Sequence, residues 1–194
     1  MGIGEVTARP PRARAVFLDR DGVLNHMVER RGQHGPPWSL EQLEIAPDAS
    51  ESLGRLHRAG FRLIVVTNQP DIARGDLDRA TLNQINAEVH RRLPMLDRPF
   101  MVCQHDNADH CQCRKPRPGM LTGAALRLGL DLPSCYMVGD RYKDVEAGHS
   151  AGCRTVWIRA VGHREQEPSK PAHREVQSLG EAAGWILTNE GIAT

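Results

Sequence analysis

Short apolar runs rich in β-branched residues recur along the chain, separated by stretches with helical spacing. That alternation limits the fold more than any other feature. "AVFLD" (15–19), "FRLIVVTN" (61–68), "FMVC" (100–103), "CYMVGD" (135–140) and "RTVWI" (154–158) read as strands. The continuous apolar centre of the second suits a strand covered on both faces. Between them, 47–59 carries Leu53 and Leu56, with Gly60 as a C-cap. Residues 78–93 keep helical spacing at Leu82, Ile85, Val89 and Leu93, with Asp76 or Asp78 as N-cap. Residues 118–128 do the same at Leu121, Ala124, Ala125 and Leu128, closed by Gly129, and a shorter helix is expected over 143–150. "GWILT" (184–188) is expected as a last edge strand. The sum is an α/β fold, a Rossmann-like parallel sheet with helices on both faces.

The segments 26–44 and 160–175 are rich in Gly, Pro, His and charge and read as loops. No repeat or second-domain boundary is visible. Residues 1–13 are expected to be a disordered tail and 14–194 one domain. With 25% charged residues and a formal net charge of +1, the chain has no bulk field to draw nucleic acid or an anionic membrane. No apolar run approaches the ~20 residues that span a bilayer. The first residues also lack the apolar core of a secretory signal. A cytoplasmic monomer is therefore expected, with its cysteines reduced.

In such a sheet, ligands bind at the carboxyl ends of the strands. The first strand ends in Asp19, Asp21, Gly22 and Asn25, the second in Thr67 and Asn68, the fourth in Gly139, Asp140 and Asp144. Carboxylates facing one another repel unless a cation neutralises them, and oxygen-only ligands favour a hard ion such as Mg²⁺. Asp19 is then suited to attack phosphorus, since an ionised carboxylate needs no deprotonation. Asp21 is suited to protonate the leaving oxygen and later activate water. Thr67 and Asn68 offer donors to phosphoryl oxygens, and Lys115 offers a charge to offset them. Taken singly, a "DRDG" turn or a Thr-Asn strand end is ordinary; their joint occurrence in order is not.

"FLDRDGVLN", "VVTNQ…IARG", "CRKPRPGM" and "MVGDRYKD" together resemble the haloacid dehalogenase superfamily of aspartate-nucleophile phosphatases. Within it they are most similar to the D-glycero-D-manno-heptose-1,7-bisphosphate 7-phosphatases and the related histidinol-phosphate phosphatases. The likeness runs from about Ala15 to Ile158. It implies Asp19 as nucleophile, Asp21 as general acid/base, Thr67 and Asn68 on the phosphate, and Arg114 and Lys115 as substrate and phosphate contacts. It implies Mg²⁺ on Asp19, Asp140 and the Asp21 carbonyl, with a small phosphorylated sugar as substrate. Gln69 and Arg141 are further expected substrate contacts. Asp144 is left either on the metal or orienting Lys115. Only 47 residues separate Asp19 from Thr67, and 47 separate Thr67 from Lys115. Most of each gap is spent on a helix and a strand, leaving no room for a large cap domain. Access is left to loops 26–40 and 103–113.

Three of five cysteines fall within eleven residues, as Cys103-x-His105-x5-Cys111-x-Cys113. Three thiolates and an imidazole suit tetrahedral Zn²⁺. A disulfide, chance clustering of thiols, and His110 as fourth ligand are the rival readings. The resemblance selects His105, because its members carry such a zinc loop directly before "CRKP". Cys135 and Cys153 are expected in the core, and His57, His90 and His149 in solvent. Two departures bear on substrate: Gln69-Pro70-Asp71 replaces the family's Gln-Ser-Gly, and the loop after Asn25 lacks its Gly-Tyr element. Arg141 also stands where a Lys is common. Histidinol phosphate or another small sugar phosphate is the alternative substrate. A non-enzymatic zinc-binding module is the alternative class; it leaves the acidic strand ends unexplained.

Overall fold

Alternation along β1 (Ala15–Leu18) feeds two cores at once. Val16 and Leu18 face one layer, while Ala15 and Phe17 face the other, and all four are fully buried. The same split recurs in β4 (Arg62–Asn68), where Leu63 and Val65 oppose Ile64 and Val66. A stretch buried on both faces must be apolar, and Ala15–Leu18 and Leu63–Val66 are. The computed structural model describes residues 13–30, 32–159 and 166–192.

The remaining strands are β5 (Met101–Cys103), β6 (Tyr136–Gly139), β7 (Arg154–Ile158) and β8 (Arg174–Val176), following the small pair β2 (Val28–Arg30) and β3 (Gln33–Gly35). The main sheet runs β5-β4-β1-β6-β7-β8, all parallel. Successive crossovers lead from β1 outward to β5, then return to the other side of β1. The strand order therefore reverses at β1, and a crevice opens there at the carboxyl ends of β1, β4 and β6.

Helices α1 (Ala49–Arg58), α3 (Arg79–Arg92) and α6 (Leu179–Asn189) cover one face; α4 (Gly119–Leu128) and α5 (Tyr142–Ala151) cover the other. A one-turn α2 (Asp71–Arg74) follows β4 and ends at Gly75 in the left-handed region. Asp78 is the α3 cap, its side chain accepting from Thr81 N. Gly129, at φ 64°, closes α4 as expected.

Four expectations are corrected. "GWILT" is the body of α6, not a strand. Ser178 caps that helix, and Leu179, Ala182, Ala183, Ile186 and Leu187 make a helical stripe against α1. The edge strand is β8 instead, inside a segment expected to be loop. Segment 26–44 holds the antiparallel β2–β3 pair, with Val28 opposite Gly35. His149 is half-buried rather than solvated: its Nε2 lies 2.9 Å from Pro171 O and its ring 5.0 Å from that of His173. Residues 1–12 of the expected tail lie outside the described residues, and Ala13 forms an isolated bridge with Leu130. Cys135 and Cys153 are buried, as expected. Among the described residues no helix is long and apolar enough to cross a membrane.

Candidate active site

The turn after β1 places its carboxylates by backbone bonds. Val23, Leu24 and Asn25 all donate to Arg20 O, curling the chain so that Asp19 and Asp21 sit at the crevice. Gly22 is required twice over. Its φ is +82°, and a Cβ there would lie 2.3 Å from Asp140 Oδ2. Gly139 has a similar constraint, since a Cβ would strike the Asp144 side chain at 2.2 Å. The two loops are thus packed as close as glycine permits.

Between them sits a charged cluster. Carboxylate oxygens of Asp19, Asp140 and Asp144 lie within 4.8 Å of one another. Lys115, two residues after Cys113 and only 2% exposed, brings its Nζ to Asp19 Oδ1 at 3.0 Å, Asp144 Oδ1 at 2.6 Å and Val66 O at 2.8 Å. Three carboxylates against one ammonium leave two negative charges in a buried space. Burial accordingly pushes the Asp19 carboxyl up to about 7, against the opposing pull of Lys115 and with help from Asp144 and Asp21. Asp140 is also raised, by burial first and Asp19 second, and its Oδ1 is buried without a hydrogen-bond partner. Lys115 is raised, because the two carboxylates outweigh its own desolvation. An orphaned carboxylate oxygen, all-oxygen donors and a residual charge of two fit a hard divalent cation.

The structure brings Asp19, Lys115 and Asp140 to one point, sets Thr67 Oγ1 beside Gln69 Nε2, and gives other expected residues different neighbours. Asp21 is outside the acidic cluster. Arg20, fully buried, forks onto it with Nε and Nη2 at 3.0 Å each, Asn25 Nδ2 adds 3.1 Å and Gln69 Nε2 2.7 Å. Arg20 is fixed in turn by Asn86 of α3, 2.7 Å from Nη1. Gln69, expected on substrate, is fully buried, and its amide N–H groups go to Asp21 and to Thr67 Oγ1 at 2.9 Å. Asn68, expected on phosphate, clamps the Lys115 backbone, donating to its O and accepting from its N at 3.1 Å each. Arg114 donates to Asn107 Oδ1 at 2.9 Å and His105 O at 3.0 Å, inside the cysteine loop. Arg141 caps α5, its N–H 3.0 Å from Asp144 Oδ2 and its Nε 3.9 Å from Asp140 Oδ2. Asp144 therefore spends both oxygens on chain groups, Lys115 and the Arg141 amide. Sequence reasoning missed Arg20 and Asn86. An arginine wedged between two carboxylates at a strand end is the one available signal for the first; nothing signals the second.

The second cluster is of opposite character. Cys103 Sγ, His105 Nδ1, Cys111 Sγ and Cys113 Sγ lie within 4.8 Å of one another, with closest pairs of 3.2 to 3.8 Å. Ligands on a tetrahedron with bonds of about 2.3 Å stand about 3.8 Å apart, so the packing suits one Zn²⁺. All five cysteines are free thiols, which removes the disulfide reading, and His105 rather than His110 faces the thiols. Burial and the neighbouring thiols push Cys103 up to about 12 in the absence of a metal.

A crevice at the reversal of a parallel sheet, with an aspartate-bearing first strand and a buried lysine beside it, defines a haloacid-dehalogenase-like hydrolase. The HAD-hydrolase-like family model matches residues 112–182. The 7-phosphatase for D-glycero-beta-D-manno-heptose 1,7-bisphosphate from Bordetella bronchiseptica is 36% identical over 76% of this chain and 81% of its own length. The enzyme of that name from Escherichia coli K12 is 31% identical over 90% and 88%. A crystal structure of the D,D-heptose 1,7-bisphosphate phosphatase of B. bronchiseptica, complexed with magnesium and phosphate, superposes with a TM-score of 0.76 at 30% identity, covering 91% of this chain and 99% of that one. The chain belongs to the D-glycero-beta-D-manno-heptose-1,7-bisphosphate 7-phosphatase family.

Proposed function

We propose that this chain is a Mg²⁺-dependent phosphatase that removes the 7-phosphate of D-glycero-D-manno-heptose 1,7-bisphosphate through an aspartyl-phosphate on Asp19. The observation that carries it is the buried cluster of Asp19, Asp140 and Asp144 around Lys115, with charge left for a divalent cation. Asp19, Asp140 and the Asp21 carbonyl would hold Mg²⁺, which supplies positive charge against the phosphoryl oxygens.

Asp19 attacks phosphorus, the bond from phosphorus to the C7 oxygen breaks, and the leaving oxygen takes a proton from Asp21. Asp21 then takes a proton from the water that cleaves the acyl phosphate, restoring Asp19 and releasing phosphate. Lys115, fixed by Val66 O and Asp144, offsets charge on the phosphoryl group. Thr67 Oγ1 accepts from Gln69, which leaves its O–H proton to donate to a phosphoryl oxygen. Arg20, Asn25 and Gln69 aim Asp21; Asn68 and Asp144 aim Lys115. Arg114 and Arg141 are the candidates for the distal phosphate.

The Cys103, His105, Cys111 and Cys113 set would hold Zn²⁺, a closed structural anchor with four protein ligands. It fixes the loop that ends at Lys115. The free thiols fit a reducing cytoplasm, and residues 14–194 acting as a single monomeric domain complete the reading.

The test is phosphate release with the heptose 1,7-bisphosphate and, separately, histidinol phosphate. Phosphorus NMR should show the 7-phosphate lost and the anomeric phosphate kept, with activity abolished by chelator and restored by Mg²⁺. Product retaining its 7-phosphate, or faster turnover of histidinol phosphate, overturns the assignment.

A further inference from the structure

Three segments leave the site strands and surround the crevice: the one between β1 and α1, the one after β4, and the cysteine loop after β5. One network joins all three. Trp38, from the first, donates its indole N–H to Asp71 Oδ2 at 2.8 Å. Asp71, from the second and 7% exposed, lies 3.6 Å from Arg74. Arg74 forks onto Asp106 of the cysteine loop, at 3.0 and 2.8 Å. Asp106 lies 4.0 Å from Arg114, the residue before Lys115. On the other side, Arg30 stacks over Trp38 at 4.0 Å and donates to Pro36 O, so the indole is gripped from face and edge.

An isolated exposed ion pair contributes little. This set differs in two respects. Asp71 is a nearly buried carboxylate whose partners come from separate segments, and leaving such a group unpaired is costly. The Arg74–Asp106 pair is bidentate, which fixes orientation as well as distance. Each segment is also anchored at the site. Asp71 follows two residues after Gln69, which holds Asp21, and Arg114 immediately precedes Lys115, which holds Asp19. Asp71 is, moreover, one of the residues by which this chain departs from the pattern it resembles.

We propose that Asp71 and Arg74 brace the mouth of the site, fixing an aromatic wall at Trp38 against the loop of Arg114, and so select phosphate esters with a bulky polyhydroxyl body. The inference rests on the proposed phosphatase reading for where substrate enters. Asp71 and Arg74 act as positioning residues; the wall and Arg114 meet the part of the substrate beyond the transferred phosphoryl group. A small ester reaches only the floor of the crevice and does not sense the brace.

Asp71→Ala and Arg74→Ala should each raise KM for the heptose bisphosphate about tenfold, with kcat nearly unchanged. Hydrolysis of acetyl phosphate and zinc content should match wild type. Trp38→Phe, which keeps a ring but loses the indole N–H, should shift KM the same way and add nothing to Asp71→Ala. Arg74→Lys should recover part of the loss. Equal losses on both substrates, or none on either, overturn the brace. Hydrogen exchange gives a readout independent of turnover. In both alanine variants, amides of 38–40 and 104–112 should exchange faster together while the sheet does not change. If wild type cleaves acetyl phosphate but not the heptose, the substrate assignment fails and the exchange result alone decides the brace; unchanged exchange refutes it.

Discussion

The two clusters that could hold a metal ion are built in opposite ways. The carboxylate cluster draws Asp19 from the end of β1 and Asp140 and Asp144 from the end of β6 and the first turn of α5, and Asp19 and Asp144 are buried. The cysteine cluster takes its four residues from the end of β5 and the loop that follows it, and only Cys103 is fully buried. The first exists only when the whole sheet has formed. The second needs only a short loop and an ion. Chemistry therefore depends on long-range packing, while the anchoring of Lys115 depends on local coordination. The two meet at the segment Cys113-Arg114-Lys115 and at the Asn68 clamp on the Lys115 backbone.

The sharpest way to break this contrast is at Asp19. Asp19→Asn should abolish phosphate release while the protein stays folded, with its zinc content unchanged. Uncatalysed monoester hydrolysis is slow enough that enzymes can supply on the order of 10²¹-fold, so no background rate masks the loss. A tenth of the wild-type rate remaining would sink the aspartyl-phosphate mechanism.

At the other cluster, Cys113→Ser should lower zinc content in elemental analysis and lower the melting temperature, since metal binding there contributes to folding. It should also cost up to ~100-fold in kcat/KM through displacement of Lys115. A mutant that loses zinc yet keeps normal kinetics would separate the two regions completely. Asn68→Ala tests the same link from the sheet side. It removes both hydrogen bonds to the Lys115 backbone and should cost about tenfold in kcat/KM without changing zinc content.

The difference between the clusters also explains what the sequence could reveal. Ligands within eleven residues of one another are visible as spacing, so the cysteine set is legible almost by itself. Asp19, Thr67, Lys115 and Asp140 are far apart along the chain. Asp19, Thr67 and Asp140 are legible because each closes an apolar, β-branched run and parallel strands deliver such ends to one crevice, while Lys115 is legible only through the "CRKP" that follows the cysteine loop. What the sequence does not show is which polar group each side chain bonds once packed. Asn68 and Gln69 look like substrate contacts, yet both amides are turned inward. Arg20 on Asn86 spans 66 positions with no pattern to betray it. "GWILT" is ambiguous for another reason: a short apolar run fits a strand or a buried helix alike. The Ser178 cap and the preceding Leu179 and Ala182 decide it for α6.

The smallest expected effect concerns the carboxylate cluster without its ion. Burial raises Asp19 from 3.8 to about 7, so between those values the folded state holds a proton that the unfolded chain has released. Stability from this group is therefore present below about pH 4 and lost as pH rises toward 7. Asp140 shifts in the same direction, from burial and from Asp19. Asp19→Asn removes the titration, so the melting temperature of the variant relative to wild type, both in chelator, should rise by a few degrees between pH 5 and pH 8. Taking the difference cancels the carboxylates elsewhere, such as Glu88, which Arg91 and Arg92 hold low. Mg²⁺ should stabilise wild type more at pH 8 than at pH 5, because the ligands must be deprotonated to bind. The same addition should leave the Asn variant nearly unchanged. A difference that stays flat across this range would mean that Lys115 already neutralises Asp19, and that the cluster carries no residual charge for a cation to relieve.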